Sequence, residues 1–378
     1  MKKVCVVTAA RSEYGALYWL LKELESSKQL QLQLLVTGGH LSPEQGLTYK
    51  QIIDDKFIID KSVEFLLSTT TSVGIAKSIG VCAISMADAL NELQPDLLIV
   101  LGDRYELLPI CSTALIMKIP IAHISGGDVT KGAIDDQIRN AVTMMSTLHF
   151  PGTKESADRI IRMIGTNQNV FVVGEPGLDN FVNSQLLERY ELASFLDLDI
   201  TKKWYLVTLH PETNESLSYN LLLAKNIVKA LEKIENIQVI ITSANADLGG
   251  VDINKYFGEV VKQQSNKFQL YSSLGQLKYL SLLKEVDCVI GNSSSGIIEA
   301  PFLGKPVLNI GNRQTGRYFC KNVFTISGFD NTIETALQKI LKEKFMPDFY
   351  YGDGMSSKKI SNYIHKYIEE NNSNNISI

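Results

Sequence analysis

The sequence predicts an α/β protein built from two doubly wound parallel sheets. Short apolar runs rich in Val, Ile and Leu alternate with longer helical patterns along the chain, which is the order of elements in such sheets. The runs show little polar alternation, as parallel strands buried on both faces do. A length of 378 residues is typical of two domains, and a hydrophobic fraction of 45% is ordinary for a protein with full cores.

In the first half of the chain, the apolar runs predict strands and the segments between them predict helices. The order of strand, helix and strand implies a Rossmann-like sheet. The predicted strands are Val4–Thr8, Leu32–Thr37, Leu97–Leu101, Ile119–Ile124 and Val170–Val173, and the predicted helices are Tyr14–Glu25, Ser72–Leu93, Tyr105–Met117, Asp135–Met145 and Lys154–Ile164.

The alternation pauses after Gly174, where two glycines and a proline precede a more polar stretch. Because Gly and Pro mark loops, we expect residues 1–175 to form one Rossmann-like domain, 176–355 a second, and 356–378 a final helix with a polar tail. Two such domains facing a cleft would place the carboxyl ends of their strands there, where ligands bind in this class of sheet. The second series has strands at Tyr205–Leu209, Val239–Thr242, Cys288–Ile290 and Val307–Ile310, and helices at Leu217–Ile234, Gln276–Lys284 and Ile297–Leu303.

Charge and cysteine content narrow the class of protein. A net charge of −4 argues against a nucleic-acid binder, which is usually basic. The five cysteines are scattered and lack metal-ligand spacing, which favours a reduced cytoplasmic protein without a metal or redox cofactor. The apolar run Val4–Ala10 is too short for a secretory signal, and we expect no stretch to be long and apolar enough to span a membrane.

The loop Gly291–Gly296 follows a predicted strand and leads directly into a helical pattern. Its backbone N–H groups, its three serine hydroxyls and the helix N-terminus suit the binding of phosphate oxygens. Glu299, one turn into that helix, can accept hydrogen bonds from a ribose diol. The alternative is that serine is simply a good N-cap before a helix.

Other polar groups also follow predicted strands. Asp103 and Arg104 come after one strand, which places an acid and a base in the expected ligand crevice, although a local ion pair or a helix cap explains them equally well. The adjacent Asp135 and Asp136 at a helix start are candidates for proton transfer, or they merely complement the helix dipole.

Three basic residues have similar positions. His210, fixed by the following proline, can donate to a diphosphate, and Arg11 and Arg313 at strand ends can bind phosphates. Each of the three is equally explained as a structural or surface residue.

Taken in order, these motifs resemble the hydrolysing UDP-N-acetylglucosamine 2-epimerases of bacterial sialic-acid pathways and the epimerase half of the bifunctional animal enzyme. The resemblance runs from Lys3 to about Gly354. It is carried by Arg11-Ser12-Glu13-Tyr14-Gly15, Val36-Thr37-Gly38-Gly39-His40, Gly102-Asp103-Arg104-Tyr105-Glu106, Gly126-Gly127-Asp128 with Asp135-Asp136, His210-Pro211-Glu212-Thr213, Gly291–Gly296 with Glu299, and Gly311-Asn312-Arg313-Gln314.

The resemblance implies a GT-B-like fold with a last helix, Ser356–Tyr367, that crosses back to the first domain. It implies nucleotide binding by the second domain, no cofactor, and a homo-oligomer, either a dimer or a tetramer. The implied reaction eliminates the nucleoside diphosphate as a proton leaves C2, and water then adds to the glycal. The catalytic positions are Asp103, Asp135 and Asp136; the nucleotide-binding positions are Arg11, His210, Asn245, Ser293, Ser294, Ser295, Gly296, Glu299 and Arg313; the substrate-pocket positions are His40, Arg104, Ser125, Gly126 and Asp128.

The sequence departs from the family pattern at Ser125, where many relatives carry glutamate. Serine cannot act unaided as an acid or base at neutral pH. Either Asp128 or Asp136 takes over that role, or the enzyme accommodates a different substrate, because a smaller side chain leaves room for a bulkier sugar. The first loop also has Ala9-Ala10 where relatives often have glycine.

Several functions remain open from the sequence. The first is hydrolysis and 2-epimerisation of UDP-N-acetylglucosamine to N-acetylmannosamine and UDP. The second is the same reaction on UDP- or GDP-linked 2,4-diacetamido-2,4,6-trideoxyglucose (N,N'-diacetylbacillosamine), in legionaminic-acid synthesis. A GT-B glycosyltransferase and a non-catalytic sugar-nucleotide sensor are alternatives of other classes. Asp103 and Asp135 favour the epimerase, since a transferase needs no proton chemistry at C2.

Overall fold

The computed structural model describes residues 1–67, 71–129, 134–212, 215–244, 249–329 and 332–374, which form two compact units. The first unit takes in Met1–Val129, the described residues up to Asn183, and those from Gly352 onward; the second takes in Ser184–Tyr351. The division lies beyond the junction expected at position 175. The reason is that Asn180 still donates to the Gly15 carbonyl of the first unit at 3.0 Å.

The first unit contains a parallel sheet with the strand order β3-β2-β1-β4-β5-β6. Short 3-10 turns occur at Gly38–Leu41, Pro43–Gln45 and Pro176–Leu178. The elements are β1 (Lys2–Thr8), α1 (Arg11–Glu25), β2 (Leu30–Thr37), α2 (Tyr49–Asp54), β3 (Lys61–Val63), α3 (Ser72–Leu93), β4 (Leu97–Leu101), α4 (Leu107–Ile116), β5 (Ile121–Ile124), α5 (Asp135–Met145), β6 (Leu148–Phe150), α6 (Lys154–Ile164) and α7 (Asp179–Asn183).

The second unit contains a parallel sheet with the strand order β12-β11-β10-β7-β8-β9. Counted from its own first strand, this is the same order as in the first unit, and it is the order of a Rossmann sheet. The two sheets confirm the predicted α/β fold class. The elements are α8 (Arg189–Leu196), β7 (Lys203–Thr208), α9 (Leu217–Glu232), β8 (Ile237–Thr242), α10 (Gly250–Gln263), β9 (Phe268–Tyr271), α11 (Gly275–Glu285), β10 (Cys288–Gly291), α12 (Ser294–Phe302), β11 (Val307–Ile310), β12 (Val323–Ile326) and α13 (Thr332–Ile340).

The strands are buried on both faces, as their continuous apolar runs predict. Along β1, Val4 and Val6 pack in one hydrophobic cluster, with Leu17 of α1. The alternate residues Cys5 and Val7 pack in another, with helices α3 and α4. Successive side chains of a strand point to opposite faces, so each strand joins two helical layers.

The final helix, α14 (Ser356–Asn374), packs on the first unit. Its buried residues Ile360 and Ile364 belong to the same hydrophobic cluster as α1. The Asp179 carboxylate accepts hydrogen bonds from the N–H groups of Ser356 (2.9 Å) and Ser357 (2.6 Å) at the helix N-terminus. An anionic group at this end satisfies N–H donors that otherwise lack partners.

One predicted strand is wrong. Val170–Val173 is not a member of the sheet, since only an isolated bridge joins Val170 to His149. The sixth strand is instead Leu148–Phe150, a three-residue strand that the apolar pattern did not reveal. The longer apolar run at 170–173 lies beside this strand without joining the sheet, and the Val173 N–H donates to the Pro151 carbonyl at 3.0 Å.

The expectation that no stretch is long and apolar enough to cross a membrane is also wrong. By length and composition α3 meets that criterion, with a mean hydropathy of 1.5 over an 18-residue window. In the fold, α3 contributes Cys82, Met86 and Leu90 to a core cluster beneath the sheet, and 33% of the window is buried. A helix that packs in the core of a protein can pass the same test, so length and composition alone do not make α3 a membrane span. Each of the five cysteines is a buried free thiol.

Candidate active site

In each sheet the strand order reverses at one place, between β1 and β4 in the first unit and between β7 and β10 in the second. The connections leave these neighbouring strands in opposite directions, which opens a ligand crevice at their carboxyl ends. The predicted polar residues lie there: Asp103 follows β4, His210 follows β7 and Ser293 follows β10. Each unit therefore has one candidate site region.

In the first unit, the guanidinium of Arg139 on α5 holds two of the predicted carboxylates. Its Nη2 donates to Asp103 Oδ2, and its Nη1 donates to Asp136 Oδ1 at 3.0 Å. The Arg139 side chain is only 4% exposed, whereas the two carboxylates are 30% and 32% exposed. Arg139 thus compensates their charge from the buried side while both remain accessible. The local ion pair considered for Asp103 exists, but its partner is Arg139 and not Arg104.

Asp135, the first residue of α5, has a raised pKa. Burial is the main cause and the neighbouring charge of Asp103 adds to it, while Arg139 and Arg104 act in the opposite direction. A helix N-terminus favours the ionised form, so burial and the Asp103 charge act against the dipole at this residue. A carboxyl group with a raised pKa exchanges protons more readily near neutral pH, which suits a general acid or base.

Arg104 is held by two buried glutamates. Its Nη2 donates to Glu106 Oε1 at 2.6 Å, and its Nε lies 3.7 Å from Glu13 Oε1. Burial raises the pKa of Glu13 to about 7, against the lowering effect of the Ala9 N–H and of Arg104. The Arg104 side chain is 36% exposed, so a fixed guanidinium is available to an anionic ligand.

His40 does not line a pocket, contrary to its predicted place. The side chain is fully buried, and both ring nitrogens are bonded to internal hydroxyls, Nε2 to Thr8 (2.9 Å) and Nδ1 to Thr48 (2.8 Å). Burial lowers its pKa to about 4, which keeps the ring neutral at physiological pH. His40 therefore supports the end of β1 from within the fold.

The segment after β5 holds three further predicted residues. Ser125 has a positive φ of 59°, and its hydroxyl donates to Glu175 Oε2 at 3.1 Å. Gly126 is buried, and a Cβ there would lie 3.0 Å from His123 Nδ1, so a glycine suits the close packing at this position. The carboxylate of Asp128 accepts a hydrogen bond from the Ser156 hydroxyl at 2.6 Å.

In the second unit, the predicted phosphate loop has the expected geometry. Ser293 is the N-cap of α12, and its hydroxyl accepts from the Ser295 N–H at 3.4 Å. Ser294 is exposed at the first helical position, and Gly296 is buried against Val307. The cap and the phosphate site are compatible, because one hydroxyl satisfies only one of the free N–H groups at a helix start.

Glu299 lies one turn into α12, beside Tyr279 and Ser295. Burial raises the pKa of Glu299, while a hydrogen bond with Ser295 and the charge of Arg317 lower it. The Tyr279 hydroxyl donates to Ser295 Oγ at 2.8 Å. These contacts fix the surroundings of the Glu299 carboxyl group at the first turn of α12.

Asn292 joins the loops after β7 and β10. Its side chain accepts from the His210 N–H (2.7 Å) and donates to the His210 carbonyl (2.8 Å). Its own carbonyl accepts from Arg313 (3.2 Å) and Gln314 (2.8 Å). The structure therefore brings His210 and Arg313 to the same edge as the phosphate loop. Of the remaining predicted positions, Arg11 is exposed at the start of α1, and Asn245 lies outside the described residues.

Sequence reasoning did not assign roles to Arg139, Glu13, Tyr279, Asn292 or Glu175. Arg139 had a usable signal, because it stands three and four residues after the two aspartates on one helical face. Asn292 lies within the predicted phosphate loop, Gly291–Gly296. Glu175 contacts Ser125 in the first unit, and Tyr279 contacts Ser295 in the second. Both contacts arise from tertiary packing, for which the sequence pattern gives no signal.

A family model described as UDP-N-acetylglucosamine 2-epimerase matches residues 22–365. The GDP/UDP-N,N'-diacetylbacillosamine 2-epimerase (hydrolyzing) of Campylobacter jejuni is 38% identical over 91% of this chain and 88% of its own length. The UDP-N,N'-diacetylbacillosamine 2-epimerase (hydrolyzing) of Legionella pneumophila is 32% identical, over 95% and 94%. A solved UDP-GlcNAc 2-epimerase from Neisseria meningitidis, bound to UDP-GlcNAc, superposes with a TM-score of 0.79 at 17% identity, covering 96% of this chain and 100% of that one. That likeness shows the GT-B-like fold of two Rossmann-like domains.

Proposed function

Because the chain belongs to the UDP-N-acetylglucosamine 2-epimerase family, we propose that it hydrolyses and 2-epimerises a UDP- or GDP-linked 2,4-diacetamido-2,4,6-trideoxyglucose. The coarser activity, that of a hydrolysing 2-epimerase acting on a sugar nucleotide, is common to the Campylobacter jejuni and Legionella pneumophila relatives described above. The products are the nucleoside diphosphate and the free 2-epimerised sugar.

One observation carries the choice of sugar. Both of these relatives, at 38% and 32% identity over more than nine tenths of this chain, are named for N,N'-diacetylbacillosamine. UDP-N-acetylglucosamine, the first substrate considered from the sequence, has less support, because a relative named for it, from Neisseria meningitidis, is 28% identical. It becomes the comparison substrate in the test.

The proposed reaction has two halves. In the first, a base removes the C2 proton, the C–H electron pair forms the C1=C2 double bond, and the C1–O bond breaks with its electron pair on the diphosphate. In the second, water adds its hydroxyl to C1, and an acid delivers a proton to the opposite face of C2. Both proton transfers require carboxyl groups near the sugar ring.

The first unit is suited to the proton transfers. Asp103, after β4, and Asp135, at the start of α5, are half-buried carboxyl groups, and the raised pKa of Asp135 suits a group that alternates between acid and base. Arg104, fixed between two buried glutamates, can bind a phosphate oxygen and stabilise the charge that develops as the diphosphate leaves.

The second unit is suited to nucleotide binding. The N-terminus of α12 with Ser293 and Ser294 offers N–H and O–H donors to the diphosphate, and His210 and Arg313 lie at the same edge. In this proposal, Glu299 accepts the hydrogen bonds of the ribose hydroxyls. Donors of this kind bind an anion more strongly as its charge increases, which favours departure of the diphosphate.

The test is incubation of the purified protein, without any acceptor, with three substrates in deuterated water. The substrates are the UDP-linked and GDP-linked diacetamido sugars and UDP-N-acetylglucosamine, and NMR identifies the products. We expect the nucleoside diphosphate and a free 2-epimer that carries deuterium at C2, formed fastest from a diacetamido substrate. The Asp103→Asn variant, purified in parallel, controls for contaminating activity.

Different outcomes would replace the proposal with defined alternatives. Faster turnover of UDP-N-acetylglucosamine would restore the first substrate considered. Release of nucleotide only when a sugar acceptor is added would indicate a glycosyltransferase. Binding of all three nucleotides without turnover would indicate a sensor.

A further inference from the structure

Glu175 brings an additional carboxylate to the candidate site region of the first unit. Its Oε2 accepts the hydrogen bond from the Ser125 hydroxyl at 3.1 Å, across fifty positions of sequence. The Ser125 N–H in turn donates to the Phe150 carbonyl at 3.0 Å, so Ser125 joins the ends of β5 and β6. The Glu175 carboxylate therefore lies at the edge of the sheet where this class of fold binds its ligands.

The structure makes room for this carboxylate with a glycine. A Cβ at Gly152, just after β6, would lie 2.0 Å from Glu175 Oε1, so no other residue fits there while the carboxylate keeps its position. Gly174, which precedes Glu175, has a φ of 91°, a value that favours glycine. Gly152 thus leaves space for the carboxylate in its present position.

Ser125 itself is in a conformation that non-glycine residues rarely adopt. Its φ is 59°, directly at the end of a buried strand. Such strain persists only where the surrounding structure enforces it, and it is concentrated at functional sites. Here it accompanies a hydroxyl that donates to Glu175, and an O–H donor is best matched by the ionised carboxylate, which only accepts.

The two aspartates suggested by sequence as substitutes for the missing glutamate have other partners. Asp128 accepts from the Ser156 hydroxyl at 2.6 Å, and Asp136 accepts from Arg139 at 3.0 Å. The volume expected to be open beside Ser125 instead holds the Glu175 side chain. A carboxylate is present next to Ser125, but it comes from a different segment of the chain.

We propose that Glu175 is a catalytic residue that transfers a proton at C2 of the sugar, an inference that rests on the proposed function. The Glu175 carboxylate takes the C2 proton as the C1–O bond breaks and the diphosphate leaves with the bonding electron pair. Protonated Asp135, whose pKa is raised by burial and by the neighbouring charge of Asp103, then gives a proton to the other face of C2 while water adds its hydroxyl to C1. The remaining proton of that water restores Asp135, and Glu175 returns its proton to solvent.

The test compares Glu175→Gln with wild type and with Glu23→Gln, a matched change at an exposed glutamate of α1. The measurements are kcat and KM on the preferred substrate, C2 deuteration in deuterated water, and UDP affinity by calorimetry. We expect Glu175→Gln to lower kcat by roughly a hundredfold or more, the scale of general acid–base groups. KM and UDP affinity should stay within a few-fold, and Glu23→Gln should match wild type in every measurement.

Ser125→Ala provides a second variant, which removes only the donor to Glu175. We expect its kcat to fall by roughly tenfold, with the acid limb of the pH–rate profile displaced, because the carboxylate loses the hydrogen bond that favours its ionised form. If Glu175→Gln does not fold, as judged by its thermal unfolding curve, an unchanged kcat and pH profile for Ser125→Ala would overturn the inference.

The failures of the two proposals are distinguishable. A wild-type protein that releases no nucleotide from any of the three substrates overturns the proposed function and this inference with it. A wild-type protein that turns over substrate, together with a folded Glu175→Gln variant of near-normal kcat, overturns only the role of Glu175.

Discussion

Glu13 offers a quantitative test of how the Arg104 cluster is built. Its carboxyl group is 6% exposed and lies at the end of β1, where Oε2 accepts from the Ala9 N–H at 2.7 Å. The perturbation is Glu13→Gln, which keeps the shape and an acceptor for Ala9 but removes the ionisable group. Because burial raises the pKa of Glu13 from 4.5 to about 7, the variant should change how stability depends on pH.

The magnitude follows from linkage between protonation and folding. A pKa rise from 4.5 to about 7 corresponds to about 3 kcal/mol. Since the folded-state pKa lies above the unfolded-state value, this contribution is complete below about pH 4.5 and is lost as the pH rises through about 7. Relative to wild type, Glu13→Gln should therefore gain about 2 to 3 kcal/mol in free energy of unfolding between pH 5 and pH 8.

Other buried groups titrate in the same range with the opposite sign. Burial lowers the pKa values of His40, His123 and His149 to about 4. The contribution of these neutral histidines to the free energy of unfolding is therefore lost as the pH falls below about 6.5. These groups are the same in both proteins. The informative quantity is consequently the difference between variant and wild type at each pH.

The assay is urea unfolding at pH 5, 6, 7 and 8 in a Trp204→Phe background. The chain has two tryptophans, so Trp19 in α1 then reports on the first unit alone. Glu23→Gln, on the exposed side of the same helix, serves as the control and should show no pH-dependent difference. A difference between Glu13→Gln and wild type that stays constant from pH 5 to pH 8 would refute the reasoning.

The remaining predictions concern binding, turnover, titration and packing. Glu299→Ala should weaken UDP binding by about 1–3 kcal/mol through lost hydrogen bonds, and unchanged affinity in calorimetry would remove its ribose role. Asp103→Asn and Asp135→Asn should each lower kcat roughly a hundredfold or more with UDP affinity maintained. Near-normal turnover of either variant would show that the replaced aspartate takes no part in the mechanism. Asp103→Asn should also lower the pKa of Asp135 in a carboxyl NMR titration, since the Asp103 charge raises it; an unchanged titration contradicts that coupling. Ile364→Ala should destabilise the first unit by about 2–5 kcal/mol in urea, whereas exposed Lys358→Ala should not, and equal effects would argue against the packing of α14.

The central strands could be predicted from sequence because helices cover both faces of the sheet, so residues on both faces of these strands are buried. In β4, Leu97 to Val100 are fully buried, and nothing but an apolar run satisfies that environment. The three-residue strands β3 and β6 escaped prediction because their pairing depends on the strand beside them and their own sequences are mixed. The apolar run Val170–Val173 was wrongly predicted as a strand, because an apolar segment can also pack against a strand without joining its sheet.

The site was predictable to the extent that sheet geometry determines it. Asp103, His210 and Ser293 directly follow strands, so the topology alone places them at the carboxyl edge. Glu175 is different, because it reaches Ser125 only through the packing of a loop fifty positions away. His40 follows a strand as well, yet packing buries it, so a place at the edge of a sheet does not guarantee access to a ligand.

The return of α14 to the first unit has a consequence for how the protein is made. During synthesis, the ribosome releases the entire second unit before it releases the helix that completes the first hydrophobic core. Until Ile360 and Ile364 emerge, α1 leaves an apolar groove uncovered, and such surfaces attract chaperones and promote aggregation. The first unit is therefore the last to mature, and a stop codon or a bulky fusion near the end of the chain would disturb the core of the first unit before that of the second.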